Sequence, residues 1–205
     1  MCSVSKCRHS RWMRLIVAAS AVGLLGGCFG RAAPNEFLLL EPLAAPRRAA
    51  NANPAAPVIG LGPVHFPLYL DRPQFVVETQ PGHLALREDL RWAQDLGANF
   101  VDVLAEDLAA RVPDARVVVH PWPRTQPVDW KLVIRVQQFH VDASNTALLD
   151  ARWEAYRPDG LATLRRSRQR VPVIGSTVAA LSQAVDRLAA EMAEALRRIP
   201  RAGTP

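Results

Sequence analysis

Cysteine is scarce in this 205-residue chain, and its three copies, Cys2, Cys7 and Cys28, all lie near the N-terminus. Beyond Cys28 there is no thiol to form a structural disulfide, and a metal site would have to be assembled from histidines and carboxylates alone. Long apolar runs are missing too. The longest, Leu15 to Leu25, falls well short of the roughly 20 residues of a permanent transmembrane helix. Catalytic signatures are also absent. No Gly-x-Ser-x-Gly occurs, and Ser144, Ser167, Ser176 and Ser182 have no histidine at a persuasive spacing. Gly60-x-Gly62 lacks a third glycine and runs into Pro63, so it cannot open a phosphate-binding helix and reads as a kinked strand or bulge. His65, His83, His120 and His140 show no paired ligand spacing, and His140-x-Asp142 alone is thin. The expectation is a non-enzyme without metal or cofactor. No internal repeat is present.

What the chain does contain starts at its N-terminus. Lys6, Arg8, Arg11 and Arg14 precede the apolar run without one acidic residue, the layout of a secretory signal. The run ends on Leu25-Gly26-Gly27-Cys28, which matches the lipobox of bacterial lipoproteins: a branched residue, two small residues that fit a narrow peptidase site, then the cysteine that is acylated. An ordinary signal cleaved nearby beside an incidental cysteine is the less favoured reading. Residues 1–27 are thus expected to be a lipoprotein signal peptide. Cys28 would then carry a diacylglyceryl thioether and an amide-linked chain, more than the two signals that stable anchoring needs. Phe29, rather than Asp, follows the cysteine and favours the outer membrane, facing the periplasm. Without residues 1–27 the formal charge falls from +6 to +2, with 178 residues left. The high pI is therefore poor ground for nucleic-acid binding, and the remaining length suits one domain with a real core.

Gly30 to Asn35 reads as a tether, Phe37–Leu40 as a short strand, and Pro42–Pro57 as a flexible linker. Strands are expected at Val58–Val64 and Gln74–Glu78, with a loop over Pro67–Pro73 between them. Trp92, Leu96, Phe100, Val103, Leu104 and Leu108 recur at helical steps, predicting a helix over Trp92–Arg111, with Asp95, Asp102, Glu106 and Asp107 largely off its apolar stripe. Further strands follow at Arg116–His120, Asp129–Val141, Leu148–Tyr156 and Leu161–Val173, the last two joined at Pro158-Asp159-Gly160. A second amphipathic helix spans Ser176–Ile199, with Ser176 as N-cap and Met192 as core filling. Residues 201–205 are expected to be a disordered tail. The order predicts a single α+β domain over 58–200, with two helices packed on a mostly antiparallel sheet.

Arg165, Arg166, Arg168 and Arg170 are concentrated on one strand, with Arg166, Arg168 and Arg170 on one face. Such a run either protects an edge strand against unwanted pairing or forms a patch for an anionic partner or lipid headgroups; the edge reading is preferred. Tyr69 and Trp122, with their neighbouring prolines, suit either loop core or contact surface.

The segment from Gly60 to Gln74 (GLGPVHFPLYLDRPQ) resembles the signature of PqiC-type lipoproteins, the auxiliary lipoproteins of ABC-type and MCE-domain transport systems. The resemblance continues through Arg91–Leu96, Asn99, Val103–Leu108, Pro121-Trp122, Val136 with Phe139, Ala151 with Trp153, and the terminal helix. Phe66, Phe75, Gln94-Asp95 and the long linker depart from the pattern. The resemblance implies an outer-membrane accessory lipoprotein that docks an MCE-domain protein spanning the periplasm and, through it, an inner-membrane component. That assembly moves lipids or other hydrophobic molecules between membranes and supports envelope integrity. A homo-oligomer is also implied, because MCE tubes are cyclic. Tyr69, Leu70, Asp71, Arg72, Pro73 and Gln74 are the candidate partner or oligomer contacts, the alternative being a tightly packed loop with Asp71 and Arg72 bonded to local backbone. A stand-alone binder of lipid or another small hydrophobic ligand would instead show a sizeable apolar cavity, and an enzyme would show ionisable groups converging in a cleft.

Overall fold

The structure, a computed structural model, describes residues 35–43 and 56–199. The expected signal peptide, Cys28, most of the tether and of the linker, and the 201–205 tail lie outside the described residues. The elements in chain order are β1 (Glu36–Leu38), β2 (Val58–His65), β3 (Gln74–Gln80), β4 (His83–Trp92), α1 (Leu96–Arg111), β5 (Arg116–Val119), β6 (Trp130–Val141), β7 (Thr146–Arg157), β8 (Gly160–Pro172) and α2 (Thr177–Arg198).

The sheet is organised around β6. Leu132, Ile134 and Val136 point into the core while Lys131, Arg135 and Gln137 face out, the two-residue period of a strand covered on one side. β7 pairs antiparallel along one edge of β6 from Lys131 to Val141, and β8 pairs antiparallel with β7. The other edge of β6 is shared. β2 runs parallel to its first half, and β3 meets it in parallel at Val141. Beyond them, β5 is parallel to β2, β4 is antiparallel to β3, and β1 is parallel to the last residues of β4. Antiparallel ladders thus hold most paired residues, and short parallel pairings fork the sheet into two branches.

Local sequence explains the joints. Gly62 and Pro63 occupy a register shift in β2 between Leu61 and Val64, and Gly62 has φ +113°, a region glycine enters without the Cβ clash. At Gly60 a Cβ would come within 2.6 Å of the Trp122 ring, so glycine lets this indole lie on the strand. The expected helix start at Trp92 is corrected: Trp92 ends β4, its N–H donating to Pro73 O, and Ala93 N–H donates to Leu38 O. Its four-residue spacing to Leu96 imitates a helical step. The helix begins after Asp95, whose Oδ1 caps Ala98 N at 2.7 Å. Residues 83–91 carry no clear alternation because most are exposed to some degree on both faces, so the sequence pattern leaves β4 unmarked.

Both helices pack against each other and on the sheet, α1 over β2 and β5, α2 over β7 and β8. Ser176 caps α2 by accepting from Ala179 N. Ala147, Ala151 and Ala155 alternate along β7 with Leu149 and Trp153, all buried, and these small residues allow α2 to approach closely. Met192 is fully buried, as its place on the apolar stripe predicts. Trp153 is also fully buried, and its Nε1–H donates to Ser167 Oγ at 3.0 Å. Replacing Ser167 with Ala strands that donor and is predicted to cost about 1–3 kcal/mol. Urea denaturation checks this; a loss below about 0.5 kcal/mol would contradict it.

Candidate functional site

The loop between β2 and β3 fills the place where both strands leave the shared edge of β6. It contains one 3-10 turn, Leu68–Leu70, with Leu70 N donating to Pro67 O and Asp71 N to Leu68 O. Phe66 and Phe75 flank it and belong to one aromatic chain. Phe66 meets Phe100 edge-on at 5.2 Å, Phe100 meets Phe139 at 5.4 Å, Phe139 stacks with Trp92 at 6.4 Å, and Trp92 meets Phe75 at 5.6 Å. The two phenylalanines that depart from the signature pattern therefore pin both ends of the loop.

The six signature residues divide sharply. Leu70 is buried, Tyr69 is half-buried, and Gln74 starts β3 opposite Arg91. Pro73 is exposed, but its carbonyl accepts from Trp92 N at 2.8 Å. Asp71 and Arg72 are exposed, and their side chains make no hydrogen bond or ion pair among the described residues. Leu68 beside them is 84% exposed. The structure thus joins the six residues on one loop, held from beneath, with Asp71 and Arg72 unengaged.

Behind the loop lies a partly buried polar cluster around the buried His140. The Tyr69 hydroxyl donates to the Gln137 carbonyl at 3.3 Å, at a register shift in β6, and lies 3.4 Å from His140 Nδ1. His140 Nε2 is 3.9 Å from Glu78 Oε2. Burial pushes the His140 pKa below the usual imidazole range, with the Glu78 and Asp142 carboxylates opposing the shift only in part. Burial likewise raises the Tyr69 phenol. This cluster supports the loop and leaves His140 neutral at physiological pH.

A second device secures the N-terminal segment. Leu40 N donates to Asn99 Oδ1 at 2.8 Å, and Asn99 Nδ2 donates back to Leu40 O at 3.2 Å. Glu41 N donates to Ser182 Oγ on α2, and Leu43 N to Asp107 Oδ1 at 3.0 Å. Asn99, Asp107 and Ser182 are all buried. Asp107 therefore leaves the solvated face on which its charge suggested it sat: it lies inside, turned to the backbone of residue 43. The available signal was spacing, since Asn99 and Asp107 fall on three- and four-residue steps with Leu96 and Val103. The clamp extends the sheet side, where Leu38 and Leu40 enter the core. Arg111 then ties α1 to α2 through Asp186 at 2.5 Å.

Several other residues weighed for chemistry have structural partners. Ser167 serves Trp153, Ser176 caps α2, Ser182 holds Glu41, and Ser144 bonds Asp142 in the β6–β7 turn. His120 stacks edge-on against Trp122. No group of three metal-ligating side chains converges among the described residues. The arginine run lies on β8, an edge strand, and is tied inward: Arg166 and Arg168 bind Asp150, and Arg170 binds Asp142.

Among the solved structures that share this fold are two of low sequence identity. The crystal structure of an uncharacterized protein superposes with a TM-score of 0.67 at 17% identity, covering 80% of this chain and 99% of that one. A protein from Xanthomonas campestris superposes with a TM-score of 0.54 at 19% identity, covering 77% and 91% respectively. These likenesses define the class as an α+β domain of that architecture. The model of the ABC-type transport auxiliary lipoprotein component family matches residues 38–193, and the chain belongs to that family. No match to a curated protein was found. Membership agrees with the resemblance carried by residues 60–74 and 91–108, and makes this a transport-associated lipoprotein, anchored to a membrane and facing the periplasm. No helix among the described residues is long and apolar enough to cross a membrane.

Two predictions follow from the geometry. Asn99→Ala removes both partners of the Leu40 peptide and is predicted to cost about 1–3 kcal/mol, with faster hydrogen exchange at the Leu40 amide. Unchanged stability and unchanged exchange would contradict the clamp. For His140 the folded pKa lies below the unfolded value of about 6.5, so the unfolded chain binds the proton first. Stability is full above that pH and falls as pH drops through it towards the folded value. His140→Asn is predicted to flatten the fall in Tm between about pH 7.5 and 5.5; an unchanged slope would contradict this.

Proposed function

We propose that this chain is an outer-membrane lipoprotein, made with a signal peptide over residues 1–27 and anchored through acylated Cys28. It acts as the docking component of an MCE-type, PqiABC-like system that moves lipids between membranes and sustains envelope integrity. The segment of residues 28–57, of which residues 36–43 are built into the domain, links it to the anchor, and the domain seats the outer end of an MCE-domain protein connected to an inner-membrane component. The observation that carries this reading is the loop over residues 67–74. It is braced by Leu70, Tyr69 and the flanking aromatics, yet it presents Leu68, Asp71 and Arg72 without internal partners. Exposed charge and an exposed leucine on a rigid support suit recognition better than stability, because ordering them on binding costs little. Family membership supports the transport association. The filled space between helices and sheet, which holds Trp153, Phe100, Phe139 and Leu188, favours docking over a ligand cavity there.

A homo-oligomer belongs to the same proposal. β1 pairs only with Leu90–Trp92 of β4, so residues 83–89 keep an unpaired edge among the described residues, a surface through which copies can add. Asp71→Ala and Arg72→Ala provide the test, because both are surface changes predicted to alter stability by less than about 0.5 kcal/mol. Crosslinked affinity purification of the tagged, full-length lipoprotein from envelopes is predicted to recover an MCE-domain protein with the parent chain. Recovery should fall sharply with the folded double variant and with Cys28→Ala. Equal recovery from the parent and the loop variant would refute the loop as the contact.

A further inference from the structure

The face of the β6–β7–β8 meander turned away from the helices carries an arrangement that neither the fold nor the docking loop uses. Arg135, Arg152 and Arg166 stand abreast: Arg135 is the register partner of Arg152, and Arg152 of Arg166. Like charges placed directly opposite one another on a sheet are destabilising. Arg166 is compensated, its Nε and Nη2 donating to the two oxygens of Asp150 at 2.8 and 2.5 Å. Arg135 and Arg152 are exposed and have no hydrogen bond or ion pair among the described residues. The next row along the same face is Val133, Glu154 and Leu164, again in register. Leu164 is 59% exposed, and Leu161 beyond it is 56% exposed. The Glu154 carboxylate accepts from the Tyr156 hydroxyl rather than from an arginine. Both rows line one open depression of about 380 Å³.

We propose that this depression binds the phosphate of an anionic lipid headgroup, bridged by Arg135 and Arg152, with the glycerol and first acyl carbons lying over Val133 and Leu164. Directly opposed residues of an antiparallel pair have Cα atoms roughly 4.5–5.5 Å apart. From such positions two guanidinium forks can reach one tetrahedral oxyanion, whose several oxygens accept from both. Asp150, which accepts from both Arg166 and Arg168, shows on this same face how one anion with more than one acceptor oxygen bridges two arginines. A free phosphate would need only the arginines, so the apolar shelf one row away favours an amphiphile. The proposal stands independently of the docking loop, which is a different surface.

The test uses the purified full-length chain in a nonionic detergent, titrated with dihexanoyl phosphatidylglycerol, dihexanoyl phosphatidylcholine or inorganic phosphate. The parent chain is expected to bind phosphatidylglycerol most tightly, with affinity falling about tenfold for each arginine removed in Arg135→Gln and Arg152→Gln. Arg135→Lys and Arg152→Lys keep the charge, remove the fork and give intermediate loss. They also serve if a glutamine variant melts early. Arg124→Gln, on a separate loop, should leave binding intact. Inorganic phosphate binding as tightly as phosphatidylglycerol would overturn the lipid assignment. The site itself falls if the folded Arg135→Gln/Arg152→Gln variant binds as the parent does. It falls too if no phosphate ligand binds and the two arginines serve only to hold an acidic protein.

Discussion

One edge of β6 has to serve two parallel strands, and the rest of the molecule follows from that sharing. β2 leaves β6 after His65 and β3 rejoins it at Val77, so the chain between them must step out of the sheet. Backbone groups there lose their ladder partners and must find others. The 3-10 turn supplies some, Trp92 N pairs with the Pro73 carbonyl, and the Tyr69 hydroxyl pairs with the Gln137 carbonyl at the matching irregularity of β6. A loop closed by its own turn and tied at Pro73 and Tyr69 has little freedom left, and the side chains it turns outward are presented in a fixed geometry.

The same economy governs the N-terminal segment. Residues 38–43 leave β1 and cross the helix pair, where the backbone would be buried without partners were it not for Asn99, Asp107 and Ser182. Polar side chains in the interior are costly unless fully bonded. Here they convert the start of the domain into part of its core. If Cys28 is the anchor, a pull on the membrane end reaches the helix pair through those bonds rather than through a loose connection.

Most of the fold was legible because most elements are covered on one side. Leu132, Ile134 and Val136 alternate with charged residues, and α2 keeps its apolar stripe from Leu181 to Leu196, so period alone identifies both. β4 escaped because it is exposed on both sides and shows no alternation. Trp92 was misassigned because an aromatic four residues before Leu96 satisfies the helical period while ending a strand. The parallel joins of β2 and β3 to β6 are invisible in any local pattern, since they depend on pairing between distant segments. For the loop, recognition of the Leu-Asp-Arg-Pro-Gln stretch located the candidate, but only the structure distinguishes buried Leu70 from unengaged Asp71 and Arg72. Asn99 and Asp107 lie in the stretches that carry the family resemblance, and the backbone of residues 40–43, which they bind, is the physical reason for polar residues at those positions.

We propose the braced loop after β2 as the surface on which the transport partner is met. The most direct measurement is site-specific photocrosslinking in intact envelopes, with the photoreactive residue placed in turn at positions 68, 72 and 124 of the full-length lipoprotein. Adducts to an MCE-domain protein are expected from positions 68 and 72 and none from position 124. Adducts from position 124 alone, or only self-adducts from the loop while the partner still co-purifies, would contradict it.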